Sequence, residues 1–208
     1  MAKEKTREQD ILEAATRIFN QKGFHGASIG EIAEEAGIGK GTTYEYFRNK
    51  DELFIRVLEY NIERYLTELR KHVQGASGFY RKLEAFIDFH DSIIRHGLRT
   101  AEIMLLMHLG MASLNPKTME TVKLLAWELR KRVILELNNI WEEGIRENRI
   151  EDGLDFRFVS DSFMNMTAGC CMRALNAELD QYDFKQEKQK LISLLMNGIA
   201  KKEVTHMG

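Results

Sequence analysis

The chain has 208 residues, of which 44% are hydrophobic, one is proline and fifteen are glycine. This length and composition suit one large or two small folded domains rich in helix, and they argue against a disordered chain. The net charge of −2 and a pI near 6.3 exclude a nucleic-acid binder that relies on overall positive charge. Any affinity for DNA must come from a local arrangement of basic and polar side chains.

The two cysteines, Cys170 and Cys171, are adjacent in a helical pattern. Neighbouring cysteines have poor geometry for a disulfide and lack the spacing of a metal site, so we expect two small core residues and neither a metal nor a cofactor. The sequence shows no secretory signal and no apolar segment of membrane length, because polar residues follow the first methionine at once. We therefore expect a cytoplasmic protein without a membrane partner.

The first predicted helix begins at Thr6, whose capping-box partner is Gln9, and ends at Gly23. Its apolar face consists of Ile11, Leu12, Ala15, Ile18 and Phe19. Phe24 and Ala27, in the loop that follows, are predicted to close a small core of three helices.

The second and third predicted helices lie between Ser28 and Lys50, the recognition segment of this chain. Ser28 and Glu31 form a capping box, and Gly37 supplies the left-handed residue that allows a tight turn. The third helix is predicted from Lys40 to Phe47, with Phe47 in the core. Two short helices joined by a tight turn are typical of a helix-turn-helix domain.

Polar groups crowd the predicted outer surface of the recognition segment. Hydroxyl groups, a side chain ammonium and the bare backbone of a glycine suit phosphate oxygens and base edges of duplex DNA. Asn49 is a predicted cap of the next helix with Glu52 at its third position, so a phosphate beside Lys50 is favoured at a positive helix end. The predicted DNA-binding residues are Ser28, Lys40, Gly41, Thr42, Thr43, Tyr44, Tyr46 and Lys50.

Residues 6–56 resemble the DNA-binding domain of tetracycline-repressor-like (TetR) transcriptional regulators. The matching positions are Ile32-Ala33, Ala36-Gly37-Ile38, Lys40-Gly41-Thr42, Tyr44, Tyr46-Phe47, Lys50 and Leu53. The resemblance implies a helix-turn-helix domain at residues 1–50 and a helical effector-binding and dimerisation domain at residues 51–208. It also implies a repressor that leaves its operator when a small effector binds.

Three residues of the recognition segment depart from the family pattern. Gly39 stands where the family usually has a hydroxyl residue, and Thr43 replaces an apolar residue. Glu45 places an acid in the recognition helix. This carboxylate either accepts a hydrogen bond from a cytosine amino group or repels phosphate, and the sequence leaves both alternatives open.

The remainder of the chain is also predicted to be helical, which makes the fold all-α with about nine helices in total. A long helix is expected from Lys50 to about Val73, followed by a linker at residues 74–78. Further helices are predicted at 79–95, 100–111, 116–147, 155–179 and 183–201. Asn115 followed by Pro116 is the strongest helix start in the chain.

The last two predicted helices are strongly apolar, and the family resemblance implies that they form a homodimer interface. The predicted interface residues are Phe163, Met166, Cys170, Ala174, Leu191, Leu194, Leu195 and Ile199. A twofold axis would place two recognition helices in successive major grooves about 34–36 Å apart, on a palindromic operator. The alternative is that these residues are buried within one protomer.

Soft and aromatic residues are concentrated between the linker and the last two helices, which suits a cavity for a hydrophobic, lipid-like or acyl effector. The predicted ligand-binding residues are Phe86, His90, Met104, Met107, His108, Met111, Trp127, Met164 and Thr167. The alternative is an ordinary hydrophobic core.

Two functions from other classes compete with a DNA-binding regulator. An all-helical di-iron enzyme would need paired Glu-x-x-His motifs, whereas the chain has one, at Glu203 and His206. No phosphate loop, hydrolase elbow or zinc pattern is present. A helix-turn-helix domain that serves as a protein adaptor is the second alternative, and salt-dependent binding to a palindromic duplex would distinguish it.

Overall fold

The computed structural model describes residues 6–96, 114–176 and 183–199. These residues form eight helices: α1 (Arg7–Gly26), α2 (Ile29–Glu35), α3 (Lys40–Tyr46), α4 (Lys50–Gln74), α5 (Phe79–His96), α6 (Pro116–Arg146), α7 (Phe156–Asn176) and α8 (Phe184–Ile199). The predicted all-α class is confirmed. The helix predicted at residues 100–111 lies outside the described residues.

The chain divides into two compact units. Unit 1 combines described residues 6–65 with 114–129, and unit 2 combines 66–96 with 130–176 and 183–199. Helices α4 and α6 therefore each contribute residues to both units. The functional boundary expected between residues 50 and 51 stays a prediction.

The core of unit 1 is formed where α1, α2 and the start of α4 meet. Ile11, Ile32 and Leu53 are completely buried there, and the ring of Phe19 packs edge-on against Phe54 at 5.3 Å. Gly23 has a positive φ of 69° that interrupts α1, after which one more helical turn reaches Gly26. The helix is therefore kinked at the glycine where the sequence predicted its end.

Aromatic side chains from three helices form the core of unit 2. Trp141 of α6 contacts Phe79 of α5 at 6.2 Å and Phe163 of α7 at 5.8 Å between ring centroids. Phe86 contacts the same Phe163 at 5.4 Å. The indole Nε1 of Trp141 donates a hydrogen bond of 2.8 Å to Ser160 Oγ, so the largest buried side chain is also satisfied as a donor.

Gly144 allows the start of α5 to lie against α6. A Cβ atom at this position would lie 2.8 Å from the ring of Phe79, which is closer than real carbon contacts allow. Two acids of the same helix complete the junction, since Glu143 accepts a hydrogen bond from the N–H of Gly78 and Glu147 from that of Phe79. Side chains of α6 thus satisfy the first N–H groups of α5.

Candidate DNA interface

The scaffold of the recognition segment is formed by local hydrogen bonds. Ser28 Oγ accepts from the N–H of Glu31, and the Glu31 carboxylate accepts from the N–H of Ser28 in return. Gly37 adopts a φ of 68°, and the N–H of Ile38 donates to the Ala33 carbonyl at 3.0 Å. The capping box and the left-handed turn predicted from sequence are both confirmed.

The carboxylate of Glu31 is held in its charged form. The pKa of Glu31 is lowered to about 2 because the carboxylate accepts hydrogen bonds from Lys22 and Ser28. The Lys22 ammonium lies 2.5 Å from this carboxylate. The start of α2 is therefore tied to the end of the regular part of α1.

The recognition helix α3 presents a polar surface on the side away from the core. Lys40, Gly41, Tyr44 and Tyr46 are exposed, and Thr42 is partly exposed. The hydroxyl of Tyr44 and the ammonium of Lys40 have no hydrogen-bond partner among the described residues. These groups are free to meet an external partner, as a DNA-contacting surface requires.

The prediction that Thr43 faces DNA is wrong. Thr43 is completely buried and lies four residues before Phe47, so the two side chains share the inner face of α3. Its Oγ1 has no hydrogen-bond partner among the described residues. Thr43 therefore occupies the core position for which the family pattern uses an apolar residue.

Lys50 has a structural partner in addition to its predicted role at DNA. Its ammonium donates a hydrogen bond of 3.0 Å to the carbonyl of Ala27 and lies 4.7 Å from the centre of the Phe24 ring. The side chain therefore anchors the loop that leads into Ser28. Asn49 caps α4 as predicted, since its Oδ1 accepts from the N–H of Glu52 at 2.9 Å.

Ion pairing separates the basic residues of unit 1 into two groups. Three ion pairs use basic residues away from α3: Arg17 with Glu35 at 2.6 Å, Lys22 with Glu31 at 2.5 Å, and Arg56 with Glu8 at 2.9 Å. Lys40 and Arg48 are exposed and have no ion-pair partner among the described residues. Lys40 and Arg48 thus place positive charge without an ion-pair partner at the two ends of the recognition helix, where it can attract phosphate locally although the chain is acidic overall.

A contact between α6 and α4 was not apparent from the sequence. Thr118 is almost fully buried, and its Oγ1 donates a hydrogen bond of 2.8 Å to Asp51 Oδ1. The side chain amide of Asn115 donates to the same oxygen, while its own Oδ1 caps the N–H of Thr118. The sequence predicted both helix starts separately, but helix-start patterns carry no information on which ends meet.

The predicted ligand-binding residues fall into three groups. Phe86 and Thr167 are buried in unit 2, and His90 of α5 and Met164 of α7 are partly buried. Trp127 is 62% exposed, so its prediction as an interior ligand contact is wrong; the helical pattern did not distinguish the two sides of α6. The other four predicted residues, Met104, Met107, His108 and Met111, lie outside the described residues.

His90 and Thr167 are the polar residues among the described ligand-binding predictions. The His90 ring packs on Phe86 at 4.5 Å between centroids, and His90 Nδ1 lies 2.7 Å from the Phe86 carbonyl. The pKa of His90 is lowered to about 4, because the surrounding protein disfavours the charged imidazolium. Thr167 Oγ1 is buried without a hydrogen-bond partner among the described residues.

Five of the eight predicted dimer residues have side chains buried within a single chain, as the alternative of burial in one protomer expects: Phe163, Cys170, Leu191, Leu195 and Ile199. Leu191, Leu195 and Ile199 follow each other at four-residue spacing, so this stripe forms the inner face of α8. Cys170 and Leu191 also line the open groove between α7 and α8, and the dimer interface stays a prediction. Leu194 is 64% exposed and Met166 is partly exposed, while the side chain of Ala174 lies outside the described ones.

The outer sides of α7 and α8 form an open groove of about 510 Å³. Met166, Leu191 and Leu194 provide apolar lining. Arg173 crosses the groove with a 2.7 Å ion pair to Glu187, which also bonds Lys190 at 3.1 Å. The pKa of Glu187 is lowered because Arg173 and Lys190 donate hydrogen bonds to its carboxylate.

Two general features were searched for in the described parts of the chain. There, no group of three or more His, Cys, Asp or Glu side chains is arranged to hold a metal ion. None of the described helices combines the length and the apolar character that crossing a membrane requires.

The sequence comparisons agree with this geometry. The model of the family described as bacterial regulatory proteins, tetR family, matches residues 11–57. A fatty acid metabolism regulator protein of Bacillus subtilis is 23% identical over 203 residues, which cover 97% of this chain and 100% of that protein. The HTH-type transcriptional activator FasR of Mycolicibacterium smegmatis is 34% identical over 92 residues, 41% of this chain and 42% of FasR.

Solved structures show the same fold over almost the whole chain. The regulator FadR of Bacillus subtilis, crystallised with stearoyl-CoA, has a TM-score of 0.68 at 21% identity and covers 91% of this chain and 98% of its own. A protein of Saccharomonospora viridis in complex with choline has a TM-score of 0.71 at 17% identity, with coverages of 94% and 98%. The relatives are regulators of transcription rather than enzymes. Residues 11–57 thus carry the DNA-binding domain of the TetR family of bacterial transcriptional regulators, within a chain whose fold is shared by solved regulators of transcription.

Proposed function

We propose that this chain is a cytoplasmic repressor that binds a palindromic operator as a homodimer and releases it when a hydrophobic effector of the acyl type binds. The observation that carries the proposal for DNA is the set of free polar groups on α3. Lys40, Tyr44 and Tyr46 are exposed on a helix whose inner side is buried at Thr43 and which packs against α2. Groups of this kind bind phosphate oxygens and base edges.

The DNA-binding proposal is tested on a duplex selected by the protein itself from a random pool. Lys40→Gln should weaken binding and lower the slope of log affinity against log salt by about 0.9 for each lost phosphate contact. Lys123→Gln is the matched control, because Lys123 is an exposed lysine of α6 and its loss changes net charge equally. Equal slopes for both variants would contradict a phosphate contact at Lys40.

Two of the proteins that this chain resembles support an acyl effector. The Bacillus subtilis relative that aligns along nearly the whole chain is a fatty acid metabolism regulator, and the neighbour from the same organism was crystallised with stearoyl-CoA. The interior of unit 2 offers apolar rings at Phe86 and Phe163, with a buried unpartnered hydroxyl at Thr167. An alkyl chain with a polar head group matches this combination.

The effector proposal is tested with stearoyl-CoA, with choline as the comparison ligand. Stearoyl-CoA should raise the melting temperature and weaken operator binding by about 5- to 150-fold, the usual range of allosteric coupling. Choline should do neither. Stabilisation by choline alone would contradict a hydrophobic effector, and stabilisation by stearoyl-CoA without loss of operator binding would contradict a role in release.

The Asp51 contact is the proposed connection between effector and DNA binding. It joins the first turn of α6 to the first turn of α4, directly after the recognition segment. A displacement of α6 by the effector would therefore act on Lys50 and its neighbours through two hydrogen bonds. Thr118→Val keeps the buried shape and removes one bond, so it should reduce the effect of stearoyl-CoA on operator affinity more than it changes affinity for stearoyl-CoA.

The homodimer is proposed to use the outer sides of α7 and α8. Leu194 is the exposed apolar residue of the groove that these helices form, and Phe158 of α7 is exposed as well. Leu194→Glu should shift the protein from dimer to monomer in light scattering and lower operator affinity. Leu135→Glu, at an exposed leucine of α6, is the control. An unchanged dimer in the Leu194 variant would place the interface elsewhere.

A second candidate is activation rather than repression, since FasR is described as an activator. The two are distinguished by transcription from a template that carries the selected operator. A repressor lowers the transcript level, whereas an activator raises it.

A further inference from the structure

Glu45 occupies the outermost position of the recognition helix. Successive residues of an α-helix are rotated by about 100°, so Glu45 lies roughly 160° from both Thr43 and Phe47. These two residues are buried and mark the inner side of α3. The Glu45 side chain therefore leaves the helix on the side directly opposite the core.

Bare backbone lies next to this carboxylate. Gly41 precedes Glu45 by four residues and shares its face of the helix, and a Cβ atom at Gly41 would meet nothing within 4 Å. Tyr44 and Tyr46 flank Glu45 at 47% and 42% exposure. The outer face of α3 thus consists of one acid over an uncovered stretch of backbone, with a tyrosine on either side.

This arrangement separates contacts to phosphate from contacts to bases. When a helix enters the major groove, the side opposite its core faces the base edges, and the flanking side chains face the two phosphate backbones. Tyrosine hydroxyls and Lys40 suit phosphate, whereas a carboxylate there would be repelled. At the base edges a carboxylate finds hydrogen-bond donors in the amino groups, and cytosine N4 is the established partner of Glu.

Glu45 is also free to accept such a bond. Three acids close to α2 and α3 already have partners: Glu31 binds Lys22, Glu35 binds Arg17, and Glu52 accepts from the N–H of Arg48. The Glu45 carboxylate has no hydrogen-bond or ion-pair partner among the described residues. An unpaired acid in the centre of a DNA-contacting face lowers affinity for every sequence unless a base compensates it.

We propose that Glu45 is a specificity-determining residue that accepts a hydrogen bond from the N4 amino group of one cytosine in each half-site of the operator. The inference rests on the proposed DNA binding and adds to it the base that the chain selects. It follows that the operator contains a C·G pair, at the same place in both halves, whose replacement is tolerated poorly.

The test uses the operator selected by the wild-type protein and a panel in which each base pair is replaced symmetrically in both half-sites. The wild-type protein should show a C·G position where replacement weakens binding about 5- to 150-fold per half-site. Glu45→Ala should lose discrimination at that position and keep it elsewhere. Glu45→Gln should move the preference at that position toward A·T, because an amide side chain pairs with adenine N6 and N7.

Glu34→Gln is the matched control, since Glu34 is an exposed acid of α2 without a side chain partner among the described residues. This variant should keep the wild-type preferences. If Glu45→Ala strengthens binding to all panel members equally and leaves the preferences unchanged, Glu45 only repels phosphate and the inference is wrong. If the wild-type protein selects no duplex, the proposed DNA binding itself is wrong. If the variants bind the panel with unchanged base preferences, only the proposed role of Glu45 is wrong.

Discussion

The recognition segment and the interior of unit 2 are stabilised in different ways. In the recognition segment the helix start and the turn are formed by contacts between residues at most five apart, such as Ser28 with Glu31 and Ile38 with Ala33. In unit 2 the decisive contacts join residues far apart in the chain, such as Trp141 with Phe163 and Lys188 with Asp88. Local contacts leave the outer face of a short helix free for a partner, whereas long-range contacts use most apolar side chains within the fold.

The difference extends to the way each region controls charge. Glu31 keeps its charge because neighbouring groups donate hydrogen bonds to it, whereas His90 loses its charge because it is surrounded by protein. Both groups have a lowered pKa in the folded state, so both make folding less favourable as the pH falls. The pH range over which this loss of stability occurs differs between the two residues, and this difference gives the first test of the comparison.

The largest expected effect is the acid sensitivity due to His90. Its pKa falls from 6.5 in the unfolded chain to about 4 in the fold, so its contribution is complete above pH 6.5 and is lost as the pH falls toward 4. The loss amounts to at most about 3 kcal/mol of unfolding free energy. The free energy of unfolding, measured with urea, should decline less between pH 7 and 4 for His90→Gln than for the wild type.

Glu31→Gln is the control for that experiment. The pKa of Glu31 is lowered from 4.5 to about 2, so its contribution is complete above pH 4.5 and is lost between pH 4.5 and 2. Between pH 7 and 5 the free energy of unfolding of Glu31→Gln should decline as much as that of the wild type. Identical curves for His90→Gln and the wild type would show that burial of His90 does not limit stability.

The second effect concerns Gly144, where α5 and α6 of unit 2 lie in close contact. Gly144→Ala should lower the unfolding free energy by about 1–3 kcal/mol, because its Cβ overlaps the buried ring of Phe79. Gly198→Ala is the matched control and should not lower the unfolding free energy, since its Cβ meets nothing within 4 Å and alanine favours helix. Equal stabilities for the two variants in chemical denaturation would contradict the tight contact.

The third effect compares two helix caps of the same type in the two regions. Asn49→Ala and Asp155→Ala each remove a side chain that accepts from the first N–H groups of a helix, α4 and α7 respectively. Each should lower stability by about 1 kcal/mol. Only Asn49→Ala should weaken operator binding at a temperature where both variants are folded; an equal loss in both would indicate a global effect.

The smallest effect compares two buried hydroxyls that lack partners, Thr43 and Thr167. Replacement by valine keeps the shape and removes the unsatisfied group, so each variant should gain about 1 kcal/mol or less. Thr43→Val should keep operator affinity, whereas Thr167→Val should bind stearoyl-CoA more weakly. A folded Thr43→Val protein that no longer binds the operator would show that this hydroxyl contacts DNA after all.

Local patterns predicted the recognition segment almost completely. The caps at Ser28 and Asn49 and the turn at Gly37 depend on residues within four positions, and all three are confirmed. Thr43 was misplaced because exposure was assigned from its polarity, although the four-residue spacing to Phe47 indicated the inner side. Periodicity is the better guide on so short a helix.

The interior of unit 2 was predicted less well because periodicity finds an apolar stripe but does not name its partner. The apolar stripe that begins at Leu191 is compatible with a dimer interface and with burial in one protomer, and the structure buries it in its own chain. Trp127 was assigned to the interior and is exposed. The close approach of Gly144 to Phe79 depends on a residue 65 positions earlier in the chain, which no local pattern shows.

The two glycines at the start of α3 have a consequence for the dynamics of the protein. Gly39 offers no side chain cap, and Gly41 lowers the helix propensity of a helix with seven residues. Together these features make α3 less stable on its own by about 1 kcal/mol than a helix with a side chain cap and alanine in place of Gly41. Its backbone amides should therefore exchange with deuterium faster than those of α2 in the free protein, and operator binding should slow that exchange.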